Sequence, residues 1–290
     1  MNFPLGEVAS LGAAACWAIG LTLFRRDVRG IGARQVNLYK GLQGTALFLA
    51  CLAFADLEPV PLEAQLFLAA SGVVGLALGD TLLFKALDHL GPHRTALMGL
   101  LGPLLTAAGA WLFLGETLHG LQLLGCGLAM IGVTLVIWAR PERMHAVTKR
   151  GVLYGVLAVA CQAAGVVLTK RGLLDADPFT GSTIRIATAT AVLVVLAALR
   201  RELGPDLARL FSAPTLRRLV PAVFFATFLG LWLMQTGIKH TESAVANALH
   251  STTPLFTLPI MLFLLKERMG WLGIAGSFVG VGGVSLLLLS

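Results

Sequence analysis

The sequence predicts an all-α polytopic membrane protein. Ten transmembrane helices form two inverted five-helix repeats, residues 1–145 and 146–290. Three observations predict it. Of 290 residues, 57% are hydrophobic and only 13% charged, and the mean hydropathy is +0.83. So few charges could not solvate the surface of a soluble domain. Apolar stretches of roughly 17–22 residues recur along the chain, enough to cross ~30 Å of hydrocarbon at ~1.5 Å per residue. Finally, the two halves share one template, while their equivalent connections carry opposite charge.

The first span, 5–24, ends at Arg25-Arg26. It contains Ala13-Ala14-Ala15 but has no basic leader, and residues 151–171 match it within the chain, so it is expected to stay uncleaved. Span two, 35–55, is followed by Asp56, Glu58 and Glu63. Span three, 65–87, carries Asp80, and Gly91-Pro92 is expected to break the helix before span four, 93–114. Span five, 119–138, leads into Arg140, Arg143, Lys149 and Arg150. Span six, 151–169, ends at Lys170-Arg171, and span seven, 182–199, is followed by Arg200, Arg201, Arg209, Arg217 and Arg218. Spans eight to ten cover 219–238, 244–265 and 270–289. The 33 glycines suit helices packed through small faces.

The duplication is read in two registers. At an offset of 145, Gly6, Cys16, Gly20, Arg25, Arg26 and Lys40 fall on Gly151, Cys161, Gly165, Lys170, Arg171 and Arg185. At an offset of 151, Gly79, Pro103, Glu116, Gly125 and Gly132 fall on Gly230, Pro254, Glu267, Gly276 and Gly283. Breakers and charges in register over most of the chain indicate an internal repeat. Connections after the odd-numbered spans, with the adjoining span ends, hold 18 of the 22 Lys and Arg residues. The positive-inside rule places those connections in the cytoplasm and both termini outside. The connection after span two is acidic and its counterpart after span seven is basic, so equivalent loops face opposite compartments. Five spans per half produce that inversion, and inverted repeats characterise many secondary transporters, with substrate bound near the midplane.

A net charge of +7 and a pI near 9.7 follow from loop arginines and do not imply nucleic acid. Cys16, Cys51, Cys126 and Cys161 lie within spans without metal-like spacing, so neither disulfides nor zinc are expected. No GxxxxGK[ST] loop is present, which excludes an internal ATP engine of that type. An intramembrane enzyme is disfavoured: adjacent His250 and Ser251 do not make a triad, and Gly91-Pro92 separates His89 from His93. No cofactor or metal is expected.

The paired segments GPLLTAAGAWLFLGETLHGLQLLGCGLAMIGVTL, 102–135, and TPLFTLPIMLFLLKERMGWLGIAGSFVGVGGVSL, 253–286, each place a Pro thirteen residues before a Glu and then a glycine-rich closing span. With the openings at 6–26 and 151–171, the chain resembles the drug/metabolite transporter superfamily, in particular its ten-span EamA-type branch. The resemblance covers essentially the whole chain. It implies a multi-pass protein of the cytoplasmic (inner) membrane that moves a small-molecule substrate, with spans one and six beside the central cavity. It also implies cytoplasmic termini, opposite to the charge bias. Related small multidrug exporters use a mid-span glutamate in span one for proton–cation exchange. Cys16-Trp17 occupies that region here, which favours export of metabolites such as amino acids over proton-driven cation export.

Candidate substrate-binding residues are polar or aromatic groups inside spans. Ionisable groups there cost roughly 2.5–3.5 kcal/mol on insertion scales, so each needs a reason. Asp80 and Lys40 enter from one face at depths that permit a salt bridge, with a transport role or a structural latch as its two readings. Lys85 points ~140° away from Asp80 on a helix. Arg185 matches Lys40 near the opposite face and either snorkels or attracts a carboxylate or phosphate. Trp17 and Gln162 are equivalent mid-span positions offering shape and hydrogen bonding. Gln235, Asn247 and His250 add polar groups to spans eight and nine, where Asn247, His250 and Ser251 share a helix face. Pro103 and Pro254 are expected kinks that partly free the carbonyls of Gly99 and His250. Glu116 and Glu267 are expected to cap the helices that follow them. Gly276 and Gly280 form a GxxxG face for a helix contact or a homodimer.

Overall fold

A computed structural model describes residues 4–52, 59–138, 148–204, 208, 212–256 and 271–289. The described residues are helical, without strands. The first half comprises α1 (Leu5–Ile31), α2 (Ala33–Leu52), α3 (Leu62–Ser71), a π-helical segment π1 (Gly72–Gly79), α4 (Asp80–Gly99), α5 (Gly102–Leu114) and α6 (Gly120–Trp138). The second comprises α7 (Lys149–Gly172), α8 (Pro178–Leu199), α9 (Ala213–Ala222), a π-helical segment π2 (Val223–Leu229), α10 (Gly230–His240), α11 (Ser243–His250) and α12 (Trp271–Leu289).

Seven helical stretches among the described residues are long and apolar enough to cross a membrane, by length and composition. Of the three remaining sequence-predicted spans, two fall short for physical reasons and the third lies partly outside the described residues. Helix α2 is diluted by Arg34, Gln35, Asn37, Lys40 and Gln43, α5 has only 13 residues, and span nine runs into 257–270, outside the described residues. The outer surface is apolar: Phe113 is 74% exposed, Leu199 76% and Phe278 76%. Such a surface is stable against lipid rather than water.

Two expectations are corrected. Helix α4 runs without interruption through Gly91-Pro92, and the break falls at Leu100-Leu101. Pro103 therefore sits in the first turn of α5, where its missing N–H costs nothing, and it starts a helix rather than bending one. The second half repeats this arrangement: α11 ends at His250, residues 251–252 form a turn, and Pro254 lies in the helical stretch 253–256. The Thr253 hydroxyl donates to the His250 carbonyl at 2.6 Å.

The π-helical segments were not anticipated, yet they occupy equivalent positions: Gly72 corresponds to Val223, and Gly79 to Gly230, the residue just after π2. A π turn leaves the ordinary i→i−4 ladder and often marks a functional site. Asn37 Nδ2 answers part of the disturbance in π1, donating to the carbonyls of Leu76 (3.1 Å) and Ala77 (3.4 Å).

Helix contacts are exchanged between equivalent positions. A Cβ on Gly79 would meet Gln162 Cγ at 3.3 Å, and one on Gly230 would meet Trp17 Cδ1 at 3.4 Å. Gly20 packs on Ala226 as Gly165 packs on Gly75, and Gly6 packs on Thr241 as Gly151 packs on Leu90. Thr45 and Thr190, themselves equivalent, share a hydroxyl–hydroxyl hydrogen bond of 3.0 Å. These contacts run reciprocally between equivalent positions of the first and second halves. Each principal apolar cluster accordingly mixes residues of both halves. One joins Phe24, Tyr39 and Phe84 to Leu219 and Val223; another joins Ala13 and Leu68 to Val166, Met234 and Ile238.

Helices α6 and α12 cross through glycine on both sides, Gly125 and Gly132 meeting Gly283, Gly280 and Gly276. The Gly276/Gly280 face is thus spent within the chain, not presented to a second copy. A Cβ on Gly132 would sit 2.6 Å from the Gly276 carbonyl oxygen and closer still to the Gly280 backbone, which cannot rotate away. Gly132→Val is expected to cost about 1–3 kcal/mol or more. Gly127→Val, on the same helix with nothing within 4 Å, should be neutral. Thermal unfolding midpoints of the two purified variants check this; equal midpoints would remove the crossing as a source of stability.

Candidate functional site

The site begins with α2, whose Asn37 and Lys40 lie three apart and face π1 and the start of α4. Asn37 Nδ2 also donates to Thr81 Oγ1 at 3.0 Å. One turn further along α2, the Lys40 ammonium pairs with the Asp80 carboxylate. Both residues are almost fully enclosed, Lys40 at 2% and Asp80 at 3% exposure. Lys40 Nζ also lies 5.9 Å from the Trp17 ring centroid and 5.8 Å from that of Phe84, so two aromatic faces help to hold the cation. Lys85 does not compete for Asp80; its Nζ lies 5.3 Å from the Tyr154 ring centroid.

The second half reaches the same carboxylate. Gln162 Nε2 donates to Asp80 Oδ1 at 3.3 Å across the seam. Gly79 makes this approach possible, because only hydrogen separates its backbone from Cys161 and Gln162. Trp17, at the position equivalent to Gln162, stands edge-on to His250 with ring centroids 5.9 Å apart. Trp17, Lys40, Asp80, Gln162 and His250 therefore form one connected group drawn from both halves.

Arg185 and Gln235 form a second polar pair nearby. Arg185 Nη1 donates to Gln235 Oε1 at 2.8 Å, and both side chains are buried. Backbone contact at Gly72 positions Arg185, and a Cβ on Gly75 would lie 3.3 Å from its Nη2. The guanidinium thus abuts π1 five residues before Asp80 and does not snorkel to a surface. Asn247 is engaged elsewhere, donating from Nδ2 to Thr106 Oγ1 at 2.7 Å between α11 and α5. Among the described residues, Gln43, Arg185, Thr227, Gln235 and His250 each carry a buried side-chain polar atom without a hydrogen-bond partner. Buried polar atoms are costly unless answered, so this seam calls for water or a polar ligand. An apolar groove of about 570 Å³ between Phe67, Leu105, Phe113, Ala164 and Val167 contains none of these residues.

The carboxylates at the helix ends also differ from expectation. Glu116 does not cap the helix that follows it. Its carboxylate accepts from Ser243 N (2.8 Å) and Ser243 Oγ (3.2 Å), capping α11 of the other half. Lys170 Nζ lies 3.6 Å from Glu116 and donates to the Thr241 carbonyl at 2.7 Å, while Thr241 Oγ1 donates to Glu7 Oε1 at 2.8 Å. Lys239 Nζ donates to the Ala176 carbonyl at 2.7 Å beside the start of α8. An Arg34–Glu202 ion pair joins the halves at the opposite end of α8. Glu267 lies outside the described residues. Sequence reasoning missed Asn37, Thr106 and the donors around Glu116. Asn37 had a legible signal, a second polar residue one turn before Lys40; the other partners lie 127 and 141 residues apart.

The Lys40–Asp80 pair yields a stability test. Removing one partner strands a buried charge and typically costs ~3–5 kcal/mol, whereas replacing both with apolar residues is often neutral. Asp80→Asn and Lys40→Met should each lower the thermal midpoint strongly, and Lys40→Met/Asp80→Leu should recover most of the loss. Loss of transport in that stable double variant would separate a transport role from a latch.

Comparison with known proteins follows the same two-part division. The EamA-like transporter family matches twice, over residues 4–138 and 149–289. An uncharacterized transporter of Archaeoglobus fulgidus is 29% identical over 283 residues, 97% of this chain and 96% of the relative. The uncharacterized transporter YcbK of Bacillus subtilis is 31% identical over 140 residues, 46% of this chain and 44% of the relative. A solved crystal structure superposes with a TM-score of 0.76 at 15% identity, covering 97% of this chain and 95% of its own, which establishes a shared fold. The protein is a membrane transporter, not an enzyme, and its chain belongs to the EamA-like transporter family of the drug/metabolite transporter superfamily.

Proposed function

We propose that the protein is a secondary carrier that exports small metabolites, such as amino acids, across the cytoplasmic membrane by alternating access. Ten spans form two antiparallel five-helix units, and the substrate binds in the polar seam between them. The carrying observation is the connected group Trp17, Lys40, Asp80, Gln162 and His250 where residues of both halves meet, with Lys40 and Asp80 buried and the other three partly exposed. Exchanged glycine contacts support two units that rock about a shared site, since smooth backbone surfaces slide with little side-chain rearrangement. Paired contacts at both ends of α8, Lys239–Ala176 at one and Arg34–Glu202 at the other, are suited to gates that open in turn. Within this reading, the arginine-rich connections lie in the cytoplasm and the termini outside.

Reconstitution tests the mechanism. Proteoliposomes loaded with unlabelled metabolite should take up labelled metabolite faster than empty ones, and the rate should saturate with concentration. Flux that rises linearly and ignores the internal pool would instead indicate a channel. A reporter at the carboxyl end that is active only outside the cell is expected for the proposed orientation, and activity in the cytoplasm would reverse it.

A further inference from the structure

We infer that Arg185 and Gln235 form a receptor for the oxyanion of a small metabolite, a carboxylate or a phosphate group. The inference rests on the carrier reading above and adds the charge class of the cargo. Its starting point is an inequality between the two repeats. Lys40 and Arg185 occupy equivalent positions, one cation per half. Lys40 has an internal counter-ion in Asp80, but the residue equivalent to Asp80 in the second half is Leu231. Among the described residues, no carboxylate comes within 4.0 Å of Arg185. No described carboxylate of the chain therefore answers the Arg185 guanidinium directly, and a cargo oxyanion can take that place.

The donor set fits that role. Arg185 is 5% exposed and Gln235 0%, so neither is answered by bulk solvent. The Arg185 Nη1–Gln235 Oε1 bond fixes the guanidinium and leaves Arg185 Nε and Gln235 Nε2 buried without partners among the described residues. A guanidinium beside an amide presents N–H groups that can engage both oxygens of a carboxylate, or two of a phosphate. Gly75 keeps the space beside Nη2 free of a side chain. A buried guanidinium with no carboxylate in direct contact among the described residues favours a bound anion over a neutral or cationic ligand. Asp80 acts on Arg185 through space but is paired with Lys40, so a cargo group of charge −1 would be the direct partner of the guanidinium.

The test uses the purified full-length chain and a panel of compounds: L-amino acids, monocarboxylates, inorganic phosphate and phosphate monoesters, with amide or alcohol counterparts and simple amines. Binding is read as a saturable rise in thermal midpoint. At least one carboxylate or phosphate compound should bind, its uncharged counterpart being weaker by roughly tenfold or more. Comparing the carboxylate and phosphate arms identifies the group. Arg185→Gln should weaken the bound oxyanion by a similar factor, and Arg185→Lys should weaken it less. Gln235→Glu places an internal carboxylate on Arg185, so it should raise the midpoint without ligand and abolish oxyanion binding, which guards against a merely misfolded variant. Binding confined to amines or uncharged compounds, no binding at all, or oxyanion affinity unchanged in Arg185→Gln and Gln235→Glu would overturn the receptor. Counterflow of a neutral or cationic compound that ignores Arg185→Gln would overturn it too while leaving the carrier intact. Arg185-dependent binding without counterflow would remove the carrier and keep the receptor.

Discussion

Close approach of helix backbones through glycine is the constraint on which the rest of this protein depends. Lipid tails are as apolar as leucine, so helices in hydrocarbon gain little by hiding side chains from them. Association must come from van der Waals fit and from polar contacts formed at short range. Gly132 against Gly280, Gly165 against Gly75 and Gly6 against Thr241 provide that fit, each at a place where even a methyl group would collide with its neighbour. The same proximity brings Gln162 past Gly79 to the Asp80 carboxylate and seats the Arg185 backbone on Gly72. Packing and site are thus consequences of one device.

The polar group inside that framework is asymmetric although its scaffold is duplicated. Lys40, Trp17 and Phe84 have equivalents in Arg185, Gln162 and Gln235, so one set of backbone positions carries a cation, a mid-span group and a neighbour in each half. In the first half the cation rests on aromatic faces and an internal carboxylate; in the second it rests on an amide. A duplicated scaffold can hold two kinds of charge environment because side chains diverge while helix contacts persist. The π-helical segments follow the scaffold, recurring at Gly72–Gly79 and Val223–Leu229 despite different sequences. Their shared neighbour is the middle of span one or six, where Gly79 meets Gln162 and Gly230 meets Trp17.

Much of this was legible beforehand. The spans around residues 5–24, 119–138 and 270–289 reappear as helices α1, α6 and α12, because long apolar runs in lipid have no alternative to the helix. Lys40 and Asp80 were legible as partners because both are ionisable and enter from one face. Errors arose where a local rule met a tertiary demand. Pro92 reads as a breaker, yet α4 continues past it, since neighbouring helices compensate a proline within a membrane bundle. Glu116 reads as a cap for its own following helix, but its carboxylate accepts from the backbone N–H of Ser243, brought alongside from the other half.

The sequence by itself determined that the chain is helical, lipid-facing and duplicated, because hydropathy, glycine spacing and repeated motifs are one-dimensional quantities. Only the tertiary structure decided which polar residues meet. Asp80 could have answered several cations, and Arg185 could have reached a surface. Their actual partners depend on helix rotation and on the shift introduced by a π turn, and neither is written in the spacing of residues along one helix.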